Sequence, residues 1–345
     1  GLRELGGSAV TVSAEKVDPA YEKKPVHMTA EATSEETLSD PDFPVSAQAI
    51  KLRRQVEMYQ WQERKSSETK KRIGGGTETV TTYNYEKGWS DERIHSENFK
   101  KPEGHANPAA MPFASHEQAA QVVRFGAFQL SPGLASQMTH YEPLPFDAQE
   151  LKKLAPELRG RAKVDAGVLY IPGDPKRFSV NPASPNVGDV RIRFEVVKPC
   201  TVSIIAQQAG DSFAPWQSQA GTATERLMLG SVSREGMVTR MEAENTMFTW
   251  LLRLLGFLLM AFGIGLVFRP LSVVADVLPI LGDLLRLGIG VFAAVVAAFF
   301  SLITIAIAWL AYRPLLGIGL IALAVAAVVG CKMLARKKQA AASAA

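Results

Sequence analysis

Hydrophobic and polar positions follow two different rules along this chain. From Ile50 to Trp61 they alternate: Ile50, Leu52, Val56 and Met58 fall on one face, and Arg53, Gln55, Glu57, Tyr59 and Trp61 on the other. A period of two belongs to a half-buried strand. Thr77 to Trp89 repeats it, with Thr79, Thr81, Tyr83 and Tyr85 on one side. Lys65 to Gly76 between them is charged and ends in three glycines, so the two runs predict a long hairpin. Pro25 to Ala32 alternates in the same way, and Val190 to Val197 and Thr201 to Gln207 are β-rich on either side of Pro199. Helices are expected over Glu117 to Arg124, Asp147 to Leu158 and, as a charged lead-in, Ser233 to Thr246. Residues 1–247 thus read as a mainly β domain, a partly closed barrel with inserted helices.

From Phe248 onward the pattern becomes almost continuously apolar. A helix crossing the hydrocarbon core needs about 20 such residues. Three stretches qualify, 248–268, 287–312 and 315–334, and predict a C-terminal bundle of three transmembrane helices followed by a cytoplasmic tail, 335–345. The fold class is therefore an α+β membrane protein. The tetrapeptides FRPL (Phe268 to Leu271) and YRPL (Tyr312 to Leu315) echo each other between the spans. Proline removes a backbone donor and arginine seeks headgroups, so Arg269, Pro270, Arg313 and Pro314 are expected at helix ends on the membrane surface. In 271–286, Ser272, Asp276, Pro279 and Asp283 share one helical stripe, which predicts an interfacial helix with Asp276, Asp283 and Arg286 among headgroups. Ion or proton handling by Asp276 and Asp283 is the competing reading, because a carboxylate inside a membrane is costly unless used. Small residues such as Gly263, Gly265, Gly288, Gly290, Ala293 and Ala297 let helix backbones approach in lipid. Lys332, Arg336, Lys337 and Lys338 follow the last span, which places the tail in the cytoplasm and the β domain outside it.

Composition alters this picture little. The 345 residues are 47% hydrophobic and 21% charged, but the charge lies almost wholly before Arg253. A net charge of +4 with no arginine-rich stripe argues against nucleic acid as a partner. Cys200 and Cys331 make no disulfide framework and read as isolated structural thiols. The chain opens on Gly1 without an apolar leader, and an upstream signal anchor is expected to deliver the β domain across the membrane. His95, His105 and His116 recur at spacings of ten and eleven without a second ligand at metal-binding distance in sequence. Gly74 to Gly76 reads as a turn rather than a phosphate loop, and no serine elbow or HExxH is present. No catalytic residue, metal ligand or cofactor is expected. Tyr59, Trp61, Tyr83, Tyr85 and Trp89 gather on the paired strands, either as packing or as a binding face.

Several longer motifs carry a resemblance. EMYQW (Glu57 to Trp61), GGGTETVTTYNYEKGWSDE (Gly74 to Glu92), FGAFQLS (Phe125 to Ser131), GDVRIRFEVV (Gly188 to Val197), FRPLSVVADVLPILGDLL and SLITIAIAWLAYRPLLG resemble, in the same order, the LUMA family, also called transmembrane protein 43. The resemblance implies a four-span protein with one N-terminal helix, a large lumenal domain and three C-terminal helices. Eukaryotic members are associated with the endoplasmic reticulum and inner nuclear membrane, where they are thought to organise membrane protein complexes. No catalytic residues carry over. The expectation is a membrane scaffold in contact with the lipid bilayer, with other membrane proteins and with copies of itself. The alanine-rich tail suggests a bacterial inner membrane with a periplasmic domain. A transport component using Asp276 and Asp283, and a receptor or enzyme built on the β domain, are the alternatives.

Overall fold

The computed structural model describes residues 1–71, 77–275, 291 and 294–305. Six strands organise the polar part: β1 (Pro25–Thr33), β2 (Lys51–Lys71), β3 (Thr77–Ser90), β4 (His116–Ala119), β5 (Val190–Val197) and β6 (Cys200–Ala209). Two helices recur below, α1 (Pro132–Ser136) and α2 (Arg234–Ala275). By contact the chain divides into two units, Gly1–Ser67 with Thr81–Glu242, and Glu68–Val80 with the segment from Ala243 onward.

Among the described residues of the first unit, strands form two seven-stranded sheets and two short pairs. The first sheet runs Ser212–Ala214, β6, β1, Arg124–Phe125, Phe128–Gln129. β1 and β6 are antiparallel from Pro25↔Gln207 to Ala32↔Cys200. The two ends of this sheet meet: Gln129 N–H donates to Asp211 O (2.8 Å), and Phe128 stacks on Phe213 with centroids 5.2 Å apart. The partly closed barrel expected for the whole domain is thus confined to this sheet. β6 is buried from Val202 to Ala206 because both of its faces are covered, which suits a β-branched, nearly unbroken apolar run. Val202, Ile204 and Ala206 pack with Val26, Met28, Phe125 and Leu134. On the opposite face Ile205 meets Leu5, Trp216, Met237 and Met241. Burying each such aliphatic side chain contributes about 1.5–3 kcal/mol.

The second sheet runs Lys163–Asp165, Val168–Ile171, β5, β2, β3. β2 and β5 pair from Lys51↔Val197 to Met58↔Val190. The other edge of β2 takes β4 at its start and β3 further on. Leu52, Val56 and Met58 face a core with Ile192, Phe194, Phe146 and Leu169, as the alternation predicts. Arg54 breaks the apolar face. Its side chain is 2% exposed and is bound by Asp40 (2.5 Å), Asp42 (2.6 Å) and the Ala114 carbonyl (3.0 Å).

Two expected helices differ. Glu117 to Arg124 is extended, not helical: Ala and Gln favour helix locally, but residues 116–119 pair with Arg54 to Lys51 and the ladder overrides the propensity. Asp147 to Leu158 is two short helices, Ala148–Lys153 and Pro156–Arg159, the first opened by an Asp147–Glu150 capping box. Pro156 forces Ala155 into an extended conformation and separates them.

The lead-in expected at Ser233 to Thr246 is the start of α2, which continues unbroken through 247/248. Arg234–Leu266 is long and apolar enough to cross a membrane, and Phe248, Trp250, Leu251, Leu258 and Phe262 are exposed along it. FRPL does not end the helix, which runs through Arg269 and Pro270 to Ala275. A proline deletes one donor, and a membrane helix tolerates that loss where the freed carbonyl is re-satisfied. A shorter apolar helix, Ala294–Ile305, falls within the expected second span. Asp276, Asp283, Arg286, Arg313, Pro314, the span 315–334 and the tail lie outside the described residues.

Candidate functional site

The outer face of β2 presents Lys51, Arg53, Gln55, Glu57, Tyr59 and Trp61 in order, since alternate residues share a face. Across the ladder β5 sets Glu195 beside Arg53 and Arg191 beside Glu57. Arg53 Nε and Nη2 donate to Glu195 Oε2 (2.9 and 2.5 Å), and its guanidinium lies 3.7 Å from the Tyr141 ring centre. Arg191 grips Glu57 with two hydrogen bonds (2.6 and 2.8 Å), and Arg193 adds a third (2.5 Å). Burial pushes the Glu57 carboxyl up, but Arg191 and Arg193 outweigh it and hold the group below its ordinary range. A cleft of about 500 Å³ opens over this half of the face, lined by Arg53, Gln55, Glu57, Asp91, His116 and Arg193.

Charge gives way to aromatic rings further along. The Arg191 guanidinium sits 4.5 Å from the Trp89 ring centre, Trp89 meets Tyr59 edge-on (5.3 Å), and Tyr170 lies 6.1 Å beyond. Next, Lys87 covers Trp61 (4.6 Å), Trp61 meets His105 edge-on (4.7 Å) and His105 stacks on Tyr85 (3.9 Å). The pairs Tyr59/Trp89, Trp61/Lys87, Glu63/Tyr85, Ser67/Thr81 and Thr69/Thr79 fix the hairpin register. A strap between β3 and β4 holds this half down. Tyr85 Oη donates to Glu63 (2.7 Å), Lys100 N–H donates to the same carboxylate (2.6 Å), and Lys101 N–H donates to Tyr85 Oη (2.9 Å). Loss of solvent and then the Glu63 carboxylate push the Tyr85 hydroxyl above its usual value. Asn107 completes the strap: Trp61 N–H donates to its Oδ1 (2.7 Å), and its Nδ2 donates to Trp61 O (2.9 Å).

Four of the five aromatics singled out in the sequence come together here. Tyr83 lies on the same face opposite Lys65 but joins no ring contact among the described residues. Phe99 and Tyr141 were not anticipated, because their segments reach the face through loops without periodicity; Tyr170 comes from the strand Val168–Ile171, four residues being too short to read, and His105 stood out only as a histidine, not as a member of the stack. The arginine row was legible: RIRFE places Arg191, Arg193 and Glu195 on one side of a strand. The three histidines go to different surroundings. His105 is in the aromatic stack, His116 is on β4, and His95 engages Glu97 (2.8 Å), a contact that with Arg93 holds the Glu97 carboxyl down to about 2. Among the described residues no group of three potential ligands converges. Cys200 is a free thiol, and burial, then Glu142 and Glu31, push it up, the opposite of nucleophile activation.

Comparison with known proteins decides the family. The model of the family described as transmembrane protein 43 matches residues 58–314. The chain belongs to the transmembrane protein 43 family. It is 35% identical to transmembrane protein 43 of Rattus norvegicus over 314 residues, 88% of this chain and 75% of the rat protein. The Homo sapiens protein gives the same identity and coverage. The Drosophila melanogaster homologue is 28% identical, covering 90% of this chain and 80% of its own length. No solved structure matches. The match to transmembrane protein 43 includes β2 from Met58 onward, β3, the arginine row of β5 and α2, so the aromatic half of the outer face lies within the matched region. These relatives are named as transmembrane proteins, not enzymes, and the family is one of membrane proteins.

Proposed function

We propose that the chain is a membrane-anchored scaffold whose β domain offers the outer face of β2, β3 and β5 to other membrane proteins. The observation that supports this most is the composition of that face: tryptophan, tyrosine and arginine, half-buried and held by cross-strand contacts. These residue types dominate binding energy at protein interfaces, and rings already fixed lose little entropy on binding. The charged groups of the face are engaged with one another rather than arranged as nucleophile and base. In this reading three C-terminal spans anchor the domain on the extracytoplasmic side, in a bacterial inner membrane, with the domain in the periplasm. Self-association of the bundle is part of the same proposal.

A photoreactive phenylalanine at Tyr83, half-buried at the flank of the ring cluster, tests the reading in intact membranes. Discrete protein adducts are expected, and they should disappear when Trp61→Ala and Trp89→Ala are combined with it. Adducts to lipid alone would overturn it. So would ion flux in liposomes that is lost in Asp276→Asn with Asp283→Asn, which would favour transport. A single cysteine at Phe178→Cys, on a background lacking Cys200 and Cys331, should be labelled only from the extracytoplasmic side.

A further inference from the structure

A groove opens between the outer face of β2, the edge of β4 that pairs with no strand among the described residues, and α1. One end is apolar: Ile50, Ala119, Ala120, Val123, Leu130 and Ala135 line a cleft of about 370 Å³. The other end is polar, about 450 Å³, and is lined by Arg53, Thr139, His140, Tyr141 and Glu195. Lys51, Glu117 and Ser136 line both, so the two ends are one continuous trough. Its size falls in the range of small-molecule sites, roughly 300–1,000 Å³, and a mostly apolar wall with a few converging polar groups is their usual chemistry.

Two groups at the polar end are under-used. Lys51 is only 5% exposed, yet among the described residues one of its three donors alone is engaged, by the Ser136 carbonyl at 3.0 Å. Tyr141 Oη is enclosed; the Glu117 carboxylate lies near it, but no hydrogen bond of ordinary geometry is formed. Buried donors left without acceptors are costly, so an acceptor-rich group entering here recovers what the protein alone does not supply. Arg53 and Glu195 satisfy each other, and Lys51 has no salt bridge among the described residues, with Glu117 the carboxylate whose charge reaches it. Glu117 is exposed at the rim, where water screens its charge.

We propose that this groove binds a single-chain amphiphile, with its acyl chain along Ala119, Ala120 and Ala135 and a carboxylate or phosphate head on Lys51 and Tyr141. The site is distinct from the aromatic half of the outer face and does not depend on the scaffold reading.

The test uses the full chain in lipid nanodiscs with two photoreactive probes, a diazirine palmitate and a diazirine lysophosphatidate, and maps adducts by peptide mass spectrometry. Labelling within residues 117–136 by either probe is expected, and the stronger probe identifies the head. Excess unlabelled ligand should abolish it. Ala135→Trp, which fills the apolar end, should remove this labelling while leaving adducts on α2 unchanged. Lys51→Met should weaken binding about tenfold, the scale of one charge-assisted hydrogen bond, and Lys51→Arg should restore part of it. Adducts confined to α2, or labelling at 117–136 that neither competitor nor Ala135→Trp reduces, would overturn the proposal. Competition is read on the unsubstituted protein and so decides between these outcomes even if a variant fails to fold.

Discussion

Asp40→Asn removes one charge from the most deeply buried ion pair among the described residues. Asp40 and Arg54 side chains are 1% and 2% exposed, so the arginine would stay in the core with less than its full complement of acceptors. Breaking a buried pair from one side costs about 3–5 kcal/mol. Asp42, half-exposed, and the Ala114 carbonyl remain on Arg54, which sets the expected loss near the low end, about 3 kcal/mol. For a domain of this size that corresponds to a fall in melting temperature of about 6–12 °C. Melting followed by tryptophan fluorescence in detergent reads it directly. Glu86→Gln is the matched control, because its partner Arg64 is 71% exposed and such a pair contributes about 0–1 kcal/mol. Adding Arg54→Met to Asp40→Asn should recover much of the loss, since the stranded charge is then gone. If Asp40→Asn melts no lower than Glu86→Gln, burial is not what makes the Arg54 cluster matter, and the reasoning fails.

Three further outcomes are expected. Glu57 is held below its ordinary value of 4.5 in the folded state, so its stabilising contribution is present above that pH and is lost as pH falls through the folded value; Glu57→Gln should therefore melt lower than the parent at neutral pH, with the gap closing below pH 4.5. Gly126 has φ +61° and its Cα faces the Ala14 carbonyl, so Gly126→Ala adds left-handed strain of about 1–2 kcal/mol plus a clash with backbone, and urea midpoints should drop accordingly. Leu258→Arg places a charge in the apolar stretch of α2 at about 2.5–3.5 kcal/mol on insertion scales, and carbonate extraction should release a larger fraction of that variant than of Leu258→Ala.

What the sequence disclosed, and what it withheld, follows from where the decisive interactions lie. β2 and β3 were readable because alternation is local and both faces carry distinct chemistry from Ile50 to Trp61. The same holds for β5 and β6 and for the apolar stretch of α2 that follows its charged start. The extended state of 116–119 was not readable, since it depends on the vacant edge of β2, some sixty residues earlier in the chain. The two-sheet division was hidden for the same reason: β1 pairs with β6, and β2 with β5, across more than a hundred residues. Half of the candidate site was legible as strand-borne aromatics. Its other half, Phe99 to Asn107 and Tyr141, arrives on loops that carry no periodic signal. Arg54 stood in plain view at an inward position, but only its distance to Asp40 reveals it as a paired core charge.

Asn107 has a consequence of its own. β2 outruns β5 at Tyr59, and a strand that outruns its neighbour exposes a ready-made template for a foreign chain. A primary amide carries one acceptor and two donors in a plane, so it can counterfeit a passing peptide group. By giving Trp61 both an acceptor and a donor, the Asn107 side chain acts as a single false residue of a missing strand. It seals the sheet's margin at the very place where the aromatic face begins, so that the rings can remain accessible without inviting an intruding strand to zip onto the backbone beside them.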